Sequence, residues 1–433
     1  MSAFERTTVI EVRVWGQRVG AVADGGLRGA YTFEYDPAWV RTGVELAPIL
    51  MPLSGTRRRR RFSFPGMSLD TFKGLPPAIA DALPDRFGNA IVDAWLAQEG
   101  IPASGITALD RLAYLGARGL GALTFSPAHA LDAPQPTAIN LSDLIVAARD
   151  VVHGTLNTAD EARSALRQII DVGTSAGGAR AKAIVNINDE TREIRAGHTL
   201  PPPGYSAWLL KFDGIGIDRE LGVTQHYGRV ERAYALMAGA AGIVVPDTGL
   251  IQENGRAHFI TKRFDRVGAD RLHLQSLCGL AGLDFNERGV HDYAQLFNAI
   301  DQLALGQNVK QEAFRRMVFN TAAANNDDHT KNHSFLMDSD GAWSLSPAYD
   351  VTHAYNPKSI WTAQHLMSVN GKFSDAEFKD FVAVSERHGI ERATSIIAEV
   401  NDAVASWSEH AAEAGIPAAA QAEVAADLRS IRR

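Results

Sequence analysis

Cysteine is almost missing from this sequence. One thiol, Cys278, in 433 residues excludes an intrachain disulfide and any metal site built from several thiolates, and it fits a reducing, cytoplasmic setting. No apolar run reaches the ~18 to 20 residues that a membrane-spanning helix needs, so no membrane partner is expected. The start, Met1 to Arg6, has no basic segment leading into an apolar one, and no signal peptide is expected. Positive charge is in deficit. A formal net charge of −7 excludes a general nucleic-acid coat while leaving room for a local basic patch. Two phosphate-binding signatures are also absent: no Gly-Lys-Ser/Thr closes a Walker A loop, and no G-x-G-x-x-G opens a helix. Neither an internal repeat nor a long low-complexity tract is present. What remains is an ordinary globular composition, 45% hydrophobic and 21% charged, and enough chain for two or three domains.

Alternating residues predict strands at Thr8–Trp15, Arg18–Val22 and Tyr31–Tyr35, with Gly16-Gln17 as a hairpin turn. Helical spacing follows at Asn89–Gln98, then a strand at Ala122–Phe125. Pro127 to Pro136 reads as a linker and sets the main boundary, so the expected domains are 1–126, 137–265 and 266–433. Helices are expected at Leu141–His153, Asp160–Asp171 and 229–241. Strands are expected at Ala183–Val185, Glu193–Ala196, Ser206–Phe212, Ile243–Pro246 and His258–Phe264. After 266 the pattern is mostly helical, with alanine-rich helices at 391–412 and 416–431. The run Arg57 to Arg61 is either a solvated loop or an anion or nucleic-acid contact.

The chemistry concentrates between Asn325 and Asp350. An apolar helical segment, Phe314 to Ala324, runs into Asn325-Asn326-Asp327-Asp328-His329-Thr330-Lys331-Asn332. A short strand, a turn at Asp338–Gly341 and a second strand then return the chain to Ser346-Pro347-Ala348-Tyr349-Asp350. Carboxylates, an amide and a lysine in one tight loop suit Mg²⁺ on a nucleotide. In phosphoryl transfer, Asp327 would accept the hydroxyl proton, Lys331 would stabilise charge on the moving group, and Asn332 and Asp350 would bind Mg²⁺. Three upstream stretches admit two readings each. The glycine-rich segment Gly173 to Val185 is a phosphate cradle or a plain loop. Lys211, with Glu231 on the next helix, is a phosphate-orienting ion pair or a lysine at a strand end. Lys262-Arg263-Phe264-Asp265 is a hinge that reads adenine, with Asp265 reaching a ribose hydroxyl, or a charged strand end.

At these residues the chain resembles the HipA family of bacterial serine/threonine kinases, the toxin halves of type II toxin–antitoxin pairs. Asn325 to Phe335 and Pro347 to Asp350 match the family's catalytic pattern nearly throughout. Similar too are Phe314 to Asn320, the loop ending in Lys182, Leu209-Leu210-Lys211, Arg263 to Arg266, Leu83 to Gly88 and the N-terminal strands. The resemblance implies an α+β, two-lobed, protein-kinase-like fold with a small N-terminal β module and a mostly helical C-lobe. It implies ATP and Mg²⁺ as cofactors and Asp327 as the catalytic base. His329, Thr330, Lys331, Asn332, Tyr349 and Asp350 would contact ATP or its metal. Gly177, Gly178, Ala179, Arg180, Ala181 and Lys182 would cover the phosphates, Lys211 would bind them, and Lys262, Arg263 and Phe264 would hold adenine. Ser175 matches a serine that family members autophosphorylate, and a dianion there would repel ATP phosphates. Two positions depart from the pattern: Asp328 stands where some members have Gly, and Lys262 where some have an acid. The family's usual partner is a HipB-like helix-turn-helix antitoxin on operator DNA, and its known substrates include aminoacyl-tRNA synthetases. A catalytically dead kinase acting as a corepressor scaffold, and a small-molecule kinase, are the rival readings.

Overall fold

The computed structural model describes residues 6–27, 29–53, 60–84, 86–98, 101–128, 144, 181–197, 200–213, 226–253, 255–268 and 270–433. The expected helices at Leu141–His153 (save Leu144) and Asp160–Asp171, and the glycine-rich segment up to Arg180 with Ser175, lie outside the described residues. The chain divides into two compact units. Unit one holds Met1–Lys211, Lys262–Gly282 and Leu336–Ala342; unit two holds Phe212–Thr261, Leu283–Phe335 and Trp343–Arg433. Helices and antiparallel sheets are mixed, and among the described residues no helix is long and apolar enough to cross a membrane.

Unit one opens with a hairpin whose turn is Trp15-Gly16, one residue earlier than the expected Gly16-Gln17, so Gln17 belongs to the returning strand. Strand β1 (Val9–Val14) pairs with β2 (Gln17–Leu27), Val14 opposite Gln17. Trp15 and Gly16 both take positive φ, 48° and 77°, as a two-residue turn of this twist requires. Strand β3 (Ala30–Tyr35), β4 (Arg61–Phe62) and β5 (Leu123–Ser126) complete a sheet ordered β4-β3-β2-β1-β5. Ile10, Val12 and Val14 are fully buried while Arg13 between them faces out, so the period-two pattern sets which face meets the core. Beneath that face Phe33 and Tyr35 pack edge to face at 4.7 Å, and the Tyr35 hydroxyl donates to the Met51 carbonyl at 3.0 Å. A capping box at Thr107 and Asp110 starts a further helix, Ala108–Leu115.

The second sheet region of unit one is built on β6 (Lys182–Asn188), flanked by β7 (Ile194–Ala196) and β8 (Tyr205–Lys211), both antiparallel to it. After residue 266 the expected helical pattern is delayed. Arg266–Val267 pairs with Asp270–Arg271, and a strand at His273–Ser276 follows before the first short helix, Leu277–Ala281.

Unit two contains the helix Tyr227–Ala240, the hairpin of β9 (Thr248–Glu253) with β10 (Arg256–Lys262), and most of the helices. Gly228 is required where the helix crosses that hairpin, because a Cβ there would lie 2.0 Å from the Ala257 carbonyl. Ile243–Pro246 is not a strand. Pro246 has no N–H for a ladder, and regular pairing begins only at Thr248; Val244 instead receives a hydrogen bond from Ala348 N–H at 2.8 Å. The helix expected at 391–412 is two, Ala393–Ala405 and Trp407–Glu413. The break falls at Ser406, whose hydroxyl donates to the Ala403 carbonyl at 2.8 Å and so competes with the helix ladder. The last helix, Ala418–Ala425, stops short of 431 because the tail turns inward: Arg429 N–H bonds the Ala322 carbonyl at 2.9 Å.

Candidate active site

The stretch from Asn325 to Asp350 begins where the helix Gln307–Ala322 ends. Ala324 takes a left-handed φ of 51°, which breaks the helix and throws the following polar residues into a loop. The helix end is held from below by Tyr234, whose hydroxyl donates to the Ala323 carbonyl at 2.6 Å.

The loop residues then sort into two faces. One face is buried and bonded. Asn325 Nδ2 donates to Asn320 Oδ1 (2.9 Å), Asn320 Nδ2 to the Tyr293 hydroxyl (2.9 Å), and that hydroxyl to Asp328 Oδ2 (2.7 Å). Asp328 Oδ1 accepts the Leu366 N–H at 2.8 Å, and His365 Nδ1 lies 3.1 Å from Oδ2. Burial, and then the Asp328 charge, push the Tyr293 hydroxyl far above its ordinary pKa, so it remains a donor. Asn326 donates to the Thr362 carbonyl at 3.0 Å and Thr330 to the Leu283 carbonyl at 2.8 Å. Thr330, a residue expected at the nucleotide, is fully buried, and its hydroxyl supports the loop. His333 is buried beside them, and loss of solvent pulls its pKa down to about 4.

The other face is half-exposed. It presents Asp327, His329, Lys331, Asn332, Tyr349 and Asp350. The Asp327 side chain is 39% exposed, with His329 Nε2 3.9 Å from Oδ1. Asn332 Nδ2 donates to the Asp327 carbonyl at 2.7 Å, which fixes the side chain and turns its Oδ1 away from that bond. The Tyr349 hydroxyl donates to the Lys331 carbonyl at 2.5 Å and also meets Ser334. Asp350 sits at a left-handed φ of 52°, a conformation an aspartate tolerates better than most residues and one that clusters at functional positions. Phe285, which the sequence did not single out, underlies this face. Its ring lies 4.9 Å from Lys331 Nζ and 5.4 Å from the His329 ring.

Unit one carries the other expected groups. Lys182 and Lys211 are direct cross-strand partners on β6 and β8, 3% and 8% exposed. Lys211 is therefore not a surface lysine. The register of the two strands thus sets both ammonium groups at one place in the sheet. Ala181 is buried beside them. Gly177, Gly178, Ala179, Arg180 and Ser175 lie outside the described residues, as do Arg57 to Arg59; Arg61 is 74% exposed and pairs with Glu34 at 2.8 Å. Glu231 is buried in unit two.

In the hinge stretch the side chains alternate. Lys262 is exposed and Phe264 half-buried, whereas Arg263 and Asp265 are 6% and 3% exposed. Asp265 Oδ1 accepts from Arg263 Nε at 2.9 Å. Oδ2 accepts from Arg263 Nη2 at 2.7 Å, Arg266 Nη1 at 2.8 Å and Gly121 N–H at 2.6 Å. Burial alone would raise this carboxyl, but the two guanidinium groups and the hydrogen bonds hold it well below the usual carboxylate range. Both oxygens of Asp265, the residue expected to reach a ribose hydroxyl, are thus engaged inside the unit.

Among the described residues no group of three or more His, Cys, Asp or Glu is placed to hold a metal unaided. Mg²⁺ on a nucleotide needs less, one or two carboxylates with phosphate and water completing the shell. Asp350 and the Asn332 amide oxygen are the donor types that requirement calls for, and both side chains are half-exposed.

Two family models match the chain: the HipA N-terminal domain over residues 10–126 and the HipA-like C-terminal domain over residues 174–407. Among solved structures, HipA of Shewanella oneidensis MR-1, described with HipB and its operator DNA, is similar at 17% identity and TM-score 0.63, covering 96% of this chain and 94% of that one. That likeness shows the HipA fold. The Helicobacter pylori proinflammatory kinase CtkA aligns with a TM-score of only 0.33 at 15% identity, over 52% of this chain and 88% of that one. Y4dM of Sinorhizobium fredii (strain NBRC 101917 / NGR234), whose name describes it as an unproven kinase, is 26% identical over 170 residues. That stretch is 36% of this chain and 39% of the relative, so the chain spans about two fifths of the length of that curated relative.

Proposed function

The chain belongs to the HipA family, and from that premise we propose that it is a kinase that transfers the γ-phosphoryl group of ATP to a serine or threonine hydroxyl of a protein. The observation that carries the proposal is the sorting of the 325–350 stretch. Its inward side chains are bonded into the fold, while Asp327, Lys331 and Asn332 on the loop, and Asp350 after the two short strands that follow it, are left half-exposed. Asp327 accepts the hydroxyl proton of the substrate, with its backbone pinned by Asn332. Lys331 offsets the charge on the transferring group, its ammonium lying over the Phe285 ring. Asn332 and Asp350 would hold Mg²⁺, which would supply charge neutralisation on the phosphate oxygens. Positioning and fixed charge, rather than a covalent intermediate, lower the barrier. On unit one, Lys182 and Lys211 bind phosphate oxygens, and Lys262 and Phe264 flank adenine; Ser175 is the autophosphorylation site.

The Shewanella protein is described with HipB and operator DNA. A HipB-like helix-turn-helix antitoxin, and operator DNA through it, are proposed as this chain's partners, with growth arrest by phosphorylation of a target such as an aminoacyl-tRNA synthetase as its role. Incubating the pure protein with labelled ATP and Mg²⁺ and mapping the label tests the catalytic part. Phosphate on Ser175 or on an added protein supports a kinase. No label and no nucleotide binding would favour the corepressor scaffold. Phosphoproteomics after induced expression names the target.

A further inference from the structure

The turn at 116–121 of the N-terminal region and the stretch 263–271, far apart in sequence, are joined within unit one by a buried clamp. Arg271 fans over that turn: Nε donates to the Gly121 carbonyl (3.0 Å), Nη1 to Ala117 (3.1 Å) and Nη2 to Gly119 (3.4 Å). Arg266 adds bonds to the Gly121 and Gly119 carbonyls at 3.0 and 3.3 Å. Gly121 returns its N–H to Asp265 at 2.6 Å. From the β1–β2 turn, Trp15 Nε1 donates to the Arg271 carbonyl at 2.6 Å. Gly121 has φ +72°, and a Cβ there would lie 2.9 Å from Leu274 N. On its other side the same stretch is tied to β8, the strand that ends in Lys211, through Arg263 N–H to the Ala207 carbonyl at 2.9 Å.

None of these contacts is needed to close the N-terminal sheet, which pairs through β1 to β5. They hold residues 265 to 271, which directly follow Lys262 to Phe264, and the Arg263 N–H bond to Ala207 holds that segment itself. We infer that Asp265, Arg266 and Arg271 are positioning residues, through which the N-terminal module sets the geometry of the Lys262–Phe264 segment and hence the affinity for the nucleotide. The inference rests on the kinase reading for the identity of that nucleotide. It makes the N-terminal module part of the ATP site's support, so that a change at Trp15 is read out in ATP binding. Arg is suited to this role because its planar fork reaches several carbonyls at once, which a lysine cannot do.

The test uses the full chain with Mg·ATP in calorimetry and steady-state kinetics. Arg271→Ala is expected to raise both Kd and KM for ATP about tenfold while kcat stays within about twofold, since uniform binding is lost and no transition-state contact is touched. Trp15→Phe keeps the ring and removes one hydrogen bond, and a rise of about threefold in the same two constants is expected. Arg271→Lys should not restore wild-type affinity. A folded Arg271→Ala protein that binds ATP as the wild type does overturns the inference. If that variant does not fold, unchanged ATP affinity in Trp15→Phe overturns it instead. A wild type that binds ATP but transfers nothing removes the kinase reading alone, and the Kd comparison still decides the clamp. A wild type that binds no ATP removes both.

Discussion

The stretches 263–271 and 325–335 look alike as sequence. Each sets aspartates among basic residues at the end of an apolar segment, and each suggests contact with a nucleotide. Folded, they diverge. The Asp265 side chain is 4% exposed between two guanidinium groups, whereas the Asp327 side chain is 39% exposed, with His329 Nε2 3.9 Å from its Oδ1. A carboxylate enclosed by arginines is locked as an anion and serves the fold. One that keeps contact with solvent is open to a second molecule. The same contrast recurs between neighbours: Asp328 is fully enclosed by Tyr293, His365 and the Leu366 N–H, one residue from Asp327. Acid type and spacing therefore do not mark a catalytic group. The partners that other parts of the chain bring to it do.

Substitutions can break this contrast, and the largest expected effect is on the exposed face. Asp350→Ala should lower phosphoryl transfer by about a thousandfold, on the order of 4 kcal/mol of transition-state stabilisation, with the melting temperature little changed; transfer within tenfold of wild type would remove Asp350 from the site. Next comes Asp265→Asn. It leaves buried guanidinium groups without their counter-charge, and a loss of about 3 to 5 kcal/mol in urea unfolding is expected. A loss under about 1 kcal/mol would mean that this carboxylate is not a structural charge. Asp328→Ala should cost about 3 kcal/mol by the same measurement, because the Tyr293 hydroxyl and the Leu366 N–H lose their acceptor.

A smaller effect follows pH. One buried histidine lies beside each stretch, His273 and His333, and burial lowers each to about 4. Their folded pKa is depressed, so the unfolded chain binds the extra protons. Stability should be full above about pH 6.5 and fall as pH drops from about 6.5 to about 4. A urea midpoint that does not move across that window would contradict the burial of both rings. The smallest effect belongs to a charge pair in solvent. Arg61→Ala breaks the exposed bond to Glu34 and should leave the melting temperature unchanged within error.

The N-terminal strands were legible in the sequence because alternation acts locally, while the turn between them lies one residue earlier than the Gly16-Gln17 expected. The Asn325–Asp350 loop was legible because its half-exposed members lie within 26 residues of each other. Its support was not. Tyr293 and His365 reach Asp328 from 35 and 37 residues away, and Phe285 carries no signal beyond its hydrophobicity. The surroundings of Asp265 were not legible either: Gly121, 144 residues distant, bonds it together with two neighbouring arginines. The Ile243–Pro246 strand failed on Pro246, a residue whose missing N–H could have been weighed beforehand.

The measurement that tests the account most directly sets Asp327→Asn beside Asp328→Asn in one assay of labelled-phosphate transfer and one of urea unfolding. The prediction is that Asp327→Asn unfolds like the wild type and transfers almost nothing, while Asp328→Asn loses stability first and loses transfer only as far as it unfolds. Full transfer by folded Asp327→Asn protein would contradict the assignment of the site.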